Sequence, residues 1–342
     1  MGWLLARVFG PRGGAARLNP QQISTVLVCR INGRIGNTLF LTPLLKRIHE
    51  LLPHAAIDVA ASCPQAHELL HSLPGVRDVI PFPHKGPRLV SRYFRALRRL
   101  RAQRYDLAID PVPESTSGRI ALTISRARYR VGFISGSQWA PLTHAIPQPT
   151  EPMHQAVQPV FLLCRAFNTP CDLHGLQLSL CLRPEEIEAG RAAVAAAMSQ
   201  AAGTTETSRA FGFFAHATAS KSIERSWWLA FWQSFLELQP DAVPVEFLPP
   251  HTAPADPRFA TLHFPSTRAL TAAIGATRMF ISADTGPMHL ASSTSVPTVA
   301  LFQATDPSLY GPLKAKDLAI DVGASSPRLV AQRCQRIWQE SA

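Results

Sequence analysis

The sequence has 342 residues, 46% of them hydrophobic, which is enough for a large core and, at roughly 150 residues per domain, for two domains. This composition excludes a disordered chain. The 34 Lys and Arg residues exceed the 23 Asp and Glu residues and give a net charge of +11, so we expect an anionic partner, although charge alone does not name its kind.

Cysteine usage and hydropathy indicate an intracellular protein. The six cysteines form no C-x-x-C pair and no dense disulfide framework, so we expect reduced thiols. No apolar run reaches the ~18 residues that span a bilayer, and the opening "MGWLLARVFG" lacks a secretory cleavage site. We expect a cytoplasmic chain. Residues 1–22 are interpreted as an N-terminal arm, either a frayed terminus or a short amphipathic segment on an anionic membrane surface.

The first half alternates strands with helices. "STVLVCRI" (24–31) predicts a strand, "NGRIGN" a turn and "TLFLTPLLKRIHELL" a helix. "AIDVAAS" (56–62) predicts a second strand, "QAHELLHSL" a short helix and "RDVIPF" a third strand. This alternation is typical of a parallel α/β sheet.

An arginine-rich helix is predicted over 88–105. Its candidate apolar face is formed by Leu89, Tyr93, Leu97 and Leu100. The other positions hold Arg92, Arg95, Arg98, Arg99, Arg101 and Arg104. This surface either contacts an anionic acceptor or membrane, or is simply a solvated basic face. We expect no nucleic-acid partner, because Tyr93 and Phe94 are not interleaved as a base-stacking platform. The next strand, "DLAID", ends at Asp110 and is followed by a polar loop that contains Glu114.

The alternation is lost between Asn168 and Pro184, where we place a domain boundary. The second half then predicts a helix ("EEIEAGRAAVAAAMSQ"), a strand ("RAFGFFA"), a helix ("SWWLAFWQSFLEL"), a strand ("VPVEFLPP"), a helix and strand ("ALTAAIGATRMFIS") and a further strand ("VPTVALF"). A C-terminal helix is placed at 325–342. The predicted domains are 23–170 and 184–324, with ligands expected at the carboxyl ends of the strands.

Two loops of the second half are candidate anion sites. In "ISADTGPMHL", Asp284 and Thr285 follow a strand, Gly286 allows close backbone approach, and the next helix starts at Pro287. Its amino terminus either binds a phosphate or is capped by Asp284 or Thr285. "HATASKSIERSW" (216–227) offers hydroxyls and charged groups, or is a solvated loop.

These stretches resemble glycosyltransferase family 9, the lipopolysaccharide heptosyltransferases. "LVCRINGRIGNTLFLTPLLKRI" is similar to the amino-terminal signature of that family and "MFISADTGPMHLASSTSVPTVALFQATDPSLYGP" to the carboxyl-terminal signature. The resemblance implies an α/β GT-B fold, with two Rossmann-like domains whose parallel sheets face a central cleft. It also implies transfer of heptose from ADP-heptose, with inversion, to a lipopolysaccharide inner-core or related acceptor, peripheral to the inner membrane. No metal or other cofactor is implied.

By position, the resemblance assigns site residues. Asp284 would hold sugar hydroxyls, Thr285, Gly286 and Thr218 would contact the phosphates, and Arg225 would neutralise the leaving group. We add Ser220, Lys221 and His289 as donor-binding candidates; for His289 and His216 a structural role is the alternative. Gly36, Thr38, Arg95 and Arg98 are the acceptor-binding candidates.

One position departs from the family. Asn37 stands where the family has an Asp that acts as general base, and a neutral amide cannot accept that proton. Either Asn37 orients the acceptor while Asp110 or Glu114 acts as base, or the chain binds a nucleotide sugar without transferring it. For Asp110 the alternative is a strand-end cap, and for Glu114 a solvated loop residue. Only Asp256 lies near the position of the family's usual ribose-binding acid.

Two further alternatives remain. The chain could transfer sugar to a protein or another glycan. "HELLH" (67–71) also matches the zinc-protease pattern H-E-x-x-H, with Glu68 as base, but Pro74 ends the helix and no third ligand follows at a recognised spacing.

Overall fold

The computed structural model describes residues 17–83, 89–134, 142–217 and 219–341. The chain divides into two compact units, with the division between Leu176 and Gln177. We call them the N-terminal unit and the C-terminal unit. The predicted N-terminal arm falls mostly on residues 1–16, which lie outside the described ranges; a short 3-10 turn, Pro20–Gln22, follows and is capped by Asn19.

The N-terminal unit contains a parallel six-stranded sheet in the order β3-β2-β1-β4-β5-β6. Its strands are β1 (Thr25–Arg30), β2 (Ala56–Ala61), β3 (Val76–Pro81), β4 (Leu107–Asp110), β5 (Tyr129–Phe133) and β6 (His144–Ile146). Its helices are α1 (Ile35–Leu39), α2 (Thr42–Leu51), α3 (Ala66–Leu70), α4 (Leu89–Ala102), α5 (Thr116–Ser125) and α6 (Gln158–Phe167).

The C-terminal unit repeats this architecture with the order β12-β11-β10-β7-β8-β9, again all parallel. Its strands are β7 (Ala210–Phe214), β8 (Val243–Leu248), β9 (Ala260–His263), β10 (Met279–Ala283), β11 (Thr298–Phe302) and β12 (Leu318–Asp321). Its helices are α7 (Pro184–Ala202), α8 (Arg225–Leu238), α9 (Thr267–Gly275), α10 (Gly286–Ser292), α11 (Pro307–Tyr310) and α12 (Pro327–Glu340). The predicted fold of two parallel α/β sheets is confirmed.

The apolar runs of the sequence form these sheets because parallel strands are covered on both faces. All five residues of β10 and all five of β11 are buried. In the C-terminal unit the core is aromatic: Phe211 and Phe213 of β7 pack against Trp228, Phe231 and Trp232 of α8. The ring centroids of Phe213 and Trp232 lie 4.7 Å apart.

The arginine-rich helix is shorter than predicted. It ends at Ala102, and Ala96 and Leu100 are its buried residues. Leu89 does not join the buried face as expected and is 41% exposed, because the packed part of the helix begins one turn later, at Tyr93. No helix in the described ranges is long and apolar enough to cross a bilayer.

Candidate functional site

In both sheets the order of the strands reverses at a defined point, although all strands run parallel. This reversal places the candidate loops. If the strands of each unit are numbered from one to six, both orders read 3-2-1-4-5-6, with the reversal between the first and fourth strands. In open α/β sheets, ligands bind at the carboxyl ends of the strands beside this reversal. The loops concerned follow β1 and β4 in one unit and β7 and β10 in the other.

Asp284, immediately after β10, is the centre of a polar cluster in the C-terminal unit. Its side chain is only 5% exposed and forms an ion pair with Lys221. Oγ1 of Thr305 donates a hydrogen bond to Oδ2 of Asp284 at 2.5 Å, and Nε2 of His289 lies 3.6 Å from Oδ1. The loops after β7, β10 and β11 therefore converge on one carboxylate.

Helix α10 begins next to this cluster without a side-chain cap. Thr285 is its N-cap residue but makes no capping hydrogen bond. The Thr285 hydroxyl instead donates to the carbonyl of Ala283 at 3.1 Å, and Asp284 is bound to Lys221 and Thr305. Capping, the alternative given to this stretch above, is therefore not the role of either side chain.

The loop after β7 carries the remaining donor-binding candidates. Thr218 lies outside the described residues. Ser220 is exposed, and Lys221 ends the 3-10 turn Ala219–Lys221. The Arg225 guanidinium donates from Nε and Nη2 to the carbonyl oxygen of Ala255, at 3.0 and 2.5 Å. The proposed role of Arg225 at the leaving group stays a prediction.

Asn37 lies in helix α1, directly after the first loop of the N-terminal unit. Its Oδ1 accepts a hydrogen bond from Nη2 of the buried Arg30 at 3.1 Å, so the carboxamide orientation is fixed by a cation. Its neighbours Gly36 and Thr38 are buried, and the Thr38 hydroxyl donates to the carbonyl of Arg34 at 3.2 Å. The acceptor-binding roles of Gly36 and Thr38 stay predictions.

Asp110 and Glu114 have opposite environments. Asp110 ends β4 with no exposed surface, its Oδ1 accepting a hydrogen bond from the Val112 amide at 3.2 Å. Oδ2 lies 3.6 Å from Nε of Arg119. Desolvation raises the pKa of Asp110 to about 7, although Arg119 and Arg30 oppose the shift. Glu114 is exposed on the loop before α5.

Arg95 and Arg98 are exposed on α4. Arg99, on the same helix, binds Asp78 at 2.7 Å. The helix also exposes Val90 and Phe94, at 68% and 63%. This surface combines positive charge with apolar side chains.

Sequence reasoning missed two residues of these clusters, Thr305 and Arg30, and also Glu246, a buried carboxylate of β8. Thr305 was quoted in the carboxyl-terminal signature, "FQATDPS", but was given no role. Arg30 and Glu246 each lie inside or at the end of an apolar run and were treated as part of a strand. A single charged residue in a strand that is otherwise buried was the available signal, because a buried charge requires a partner.

The H-E-x-x-H pattern begins in the short helix Ala66–Leu70 and ends at its C-cap residue, His71. The His67 and His71 rings stack with centroids 4.7 Å apart. Among the described residues, no group of three or more His, Cys, Asp or Glu side chains is arranged to hold a metal ion. The zinc-protease alternative therefore has no third metal ligand among the described residues.

Comparisons with known proteins test the resemblance to glycosyltransferase family 9. Residues 266–336 match the model of glycosyltransferase family 9 (heptosyltransferase). A search of curated protein sequences found no match. The solved structure of a family 9 glycosyltransferase from Veillonella parvula DSM 2008 has a TM-score of 0.74 at 19% identity and covers 93% of this chain and 97% of that chain.

Two E. coli structures are similar as well. Heptosyltransferase WaaC with ADP has a TM-score of 0.70 at 15% identity, covering 93% of this chain and 100% of that chain. ADP-heptose LPS heptosyltransferase II has a TM-score of 0.70 at 18% identity, with the same coverage of 93% and 100%. These structures show a shared fold. The predicted resemblance is confirmed in residues 266–336, and this match and the fold together support a glycosyltransferase.

Proposed function

With the family 9 match at residues 266–336 and the heptosyltransferase fold as premises, we propose that this chain transfers a heptose from ADP-heptose to a lipopolysaccharide inner-core or related anionic glycolipid acceptor. The transfer inverts the anomeric carbon and requires no metal. The similar E. coli structures are heptosyltransferases, and one of them contains ADP.

The observation that carries the proposal is the cluster around Asp284, whose residues Asp284, His289 and Thr305 lie inside the matched segment. A nucleotide diphosphate-sugar presents two kinds of group, anionic phosphates and neutral sugar hydroxyls. The cluster holds a matching pair: the Lys221 ammonium for phosphate oxygens and the Asp284 carboxylate for hydroxyls. Their mutual ion pair keeps both side chains in place before a ligand arrives, which lowers the entropic cost of binding.

Charge development explains why a cation is needed there. When the bond from the anomeric carbon to the diphosphate breaks, negative charge grows on the leaving oxygen. A fixed cation stabilises that charge more in the transition state than in the ground state, and this difference accelerates the reaction. We assign this role to Lys221, with Thr218, Thr285 and Gly286 as further phosphate contacts and Arg225 as a second cation.

The N-terminal unit supplies the acceptor residues. Because Arg30 holds Oδ1 of Asn37, the amide NH₂ group remains available to donate a hydrogen bond to an acceptor oxygen. Asn37 is thus an orienting residue, and the proton goes to Asp110 or Glu114. Glu114 has the exposure that contact with an acceptor requires, while Asp110 has the pKa that suits a base near neutral pH.

Helix α4 is proposed as the surface that meets the acceptor membrane. Arg95 and Arg98 attract anionic head groups, and the exposed Val90 and Phe94 add apolar contact. We therefore place the protein in the cytoplasm, at the surface of the inner membrane.

Titration calorimetry with ADP-heptose, ADP and UDP, followed by turnover assays with heptose-deficient lipopolysaccharide, tests the proposal. Tight ADP-heptose binding with turnover supports it. Binding without turnover on any acceptor favours the alternative of a nucleotide-sugar-binding protein, to which Asn37 points. Turnover only on a protein or another glycan would support transfer to that acceptor instead of to lipopolysaccharide. Failure to bind any nucleotide would refute the proposal.

A further inference from the structure

Glu246 is a buried carboxylate that the proposed mechanism does not use. It lies in β8, in register with Phe213 of β7, and has no exposed surface. Oε2 accepts a hydrogen bond from the Ala255 amide at 2.7 Å. Oε1 is buried, accepts no hydrogen bond from the described residues, and lies 3.4 Å from Nε2 of His216.

The partner, His216, lies two residues after the end of β7, which is one of the two strands beside the reversal of strand order. Strand β7 lies between β8 and β10, so the segment that leaves its carboxyl end runs between Glu246 on one side and the Asp284 cluster on the other. Phe214 is in register with Ser282, two residues before Asp284. The His216 side chain is 32% exposed and is therefore open to solvent or ligand, unlike Glu246.

Charged groups of the described residues lie on the elements that flank the pair. Arg225, at the start of α8, binds the Ala255 carbonyl and acts on Glu246 at a distance. In the loop after β8, Asp256 and Arg258 neutralise each other at 2.6 Å. Beyond His216, on the side of β10, Lys221 and Asp284 also form an ion pair and neutralise each other. Among the charged and titratable groups named here, His216 is the one that lies within ion-pair distance of the Glu246 carboxylate.

Burial favours the neutral form of both members of the pair. Desolvation raises the pKa of Glu246 to about 7, against the Ala255 hydrogen bond and Arg225. It also lowers the pKa of His216. Both shifts favour the neutral forms of the two groups, whose facing atoms, Oε1 and Nε2, lie 3.4 Å apart.

We propose that Glu246 and His216 form a proton-sharing pair beside the donor site, and that binding of a nucleotide diphosphate brings an additional proton onto this pair. The inference rests on the proposed function, because it places the diphosphate at the Asp284 cluster. A bound diphosphate adds negative charge on the His216 side, and this charge disfavours the ionised carboxylate. The proton comes from solvent, and Glu246 is a positioning residue that acts through His216 and Ala255.

The test is calorimetry of ADP-heptose binding at pH 7.5 in buffers of different ionisation enthalpy. The donor's phosphates are diesters, so the ligand itself takes up no proton near this pH. We expect net proton uptake in the wild type, and none in Glu246→Gln, whose neutral amide keeps an acceptor for the Ala255 amide. Between pH 7.5 and 8.5 the wild-type Kd should rise by up to about tenfold, the limit for one linked proton, while the Glu246→Gln Kd stays nearly constant.

Glu237→Gln, at an exposed position of α8, is the matched control and should behave as the wild type. Donor binding without proton uptake, or equal uptake in Glu246→Gln, overturns the inference and leaves the proposed function intact. If ADP-heptose, ADP and UDP all fail to bind, the proposed function and the inference both fall.

A second measurement needs no ligand. The His216 ring resonances, followed by NMR in the free wild type, should show an inflection near the titration of Glu246, and this inflection should be absent in Glu246→Gln. A His216 titration that is identical in the two proteins contradicts the pair.

Discussion

Asp110 and Arg119 lie against each other in the interior of the N-terminal unit, with Oδ2 of Asp110 3.6 Å from Nε of Arg119. The pair is close but imperfect, because Arg119 also donates a 2.6 Å hydrogen bond to the carbonyl of Phe133. Desolvation therefore outweighs the attraction, and the pKa of Asp110 is raised to about 7. Gly118 makes this arrangement possible, since a Cβ atom there would lie 2.6 Å from Oδ2 of Asp110.

The first prediction concerns stability and pH. Asp110 has a higher pKa in the folded chain than in the unfolded chain, so its contribution to stability is present at low pH and is lost as pH rises through about 7. Asp110→Asn cannot ionise and should gain stability relative to the wild type between pH 5 and pH 8. Urea denaturation at the two pH values measures this, with Asp241→Asn, at a 97% exposed side chain, as control. A constant difference between Asp110→Asn and wild type would contradict the raised pKa.

The second prediction identifies the base. Whichever of Asp110 and Glu114 accepts the proton, its amide variant should lower kcat by about 10²–10⁴-fold. Glu114→Gln should leave the free energy of unfolding within about 0.5 kcal/mol of wild type, because the side chain is exposed. Steady-state assays with saturating donor and acceptor give kcat. Full rates in both Asp110→Asn and Glu114→Gln would exclude both residues as the base.

The third prediction concerns the donor site. Asp284→Ala removes the partner of Lys221 and the acceptor of the Thr305 hydroxyl, so affinity for ADP-heptose should fall at least about tenfold, the effect of ~1.4 kcal/mol. Turnover should fall with it. Asp241→Ala, in the same unit but exposed, is the matched control. Unchanged donor binding and turnover in Asp284→Ala would show that the donor binds elsewhere.

The fourth prediction concerns the membrane. Replacing Arg95 and Arg98 together by Glu should weaken binding to vesicles that contain phosphatidylglycerol, since each arginine near an anionic surface contributes about 1 kcal/mol. The pair Arg328→Glu and Arg336→Glu, on exposed positions of α12, changes the net charge equally and should have a smaller effect. Cosedimentation measures binding. Equal losses in the two double variants would indicate attraction by net charge alone rather than by α4.

The sequence was sufficient for the strands that are buried on both faces. "STVLVCRI" and "VPTVALF" are mostly apolar, and β1 and β11 form within them. Edge strands carry a weaker signal: β9 at Ala260–His263 has one fully buried residue, so its four positions have no apolar run to mark them. The loops of the candidate sites were predictable because residues that follow parallel strands gather at one edge of a sheet.

Contacts between distant loops were not predictable. Nothing in the sequence near Glu246 indicates that its Oε2 would accept a hydrogen bond from the Ala255 amide. Nor does it indicate that its Oε1 would lie near His216, thirty residues earlier. The same holds for Arg225: the family resemblance implied a role at the leaving group, and nothing in the sequence indicated that the guanidinium would bind the Ala255 backbone. Such pairings depend on how loops pack over the strand ends, and local propensity does not encode this.

Every strand of the two described sheets pairs only with strands of its own unit, and the division falls at Leu176 and Gln177. A genetic crossover between Leu176 and Gln177 would interrupt no ladder of backbone hydrogen bonds in either sheet. Each unit can thus be inherited, or exchanged in the laboratory, together with its complete sheet.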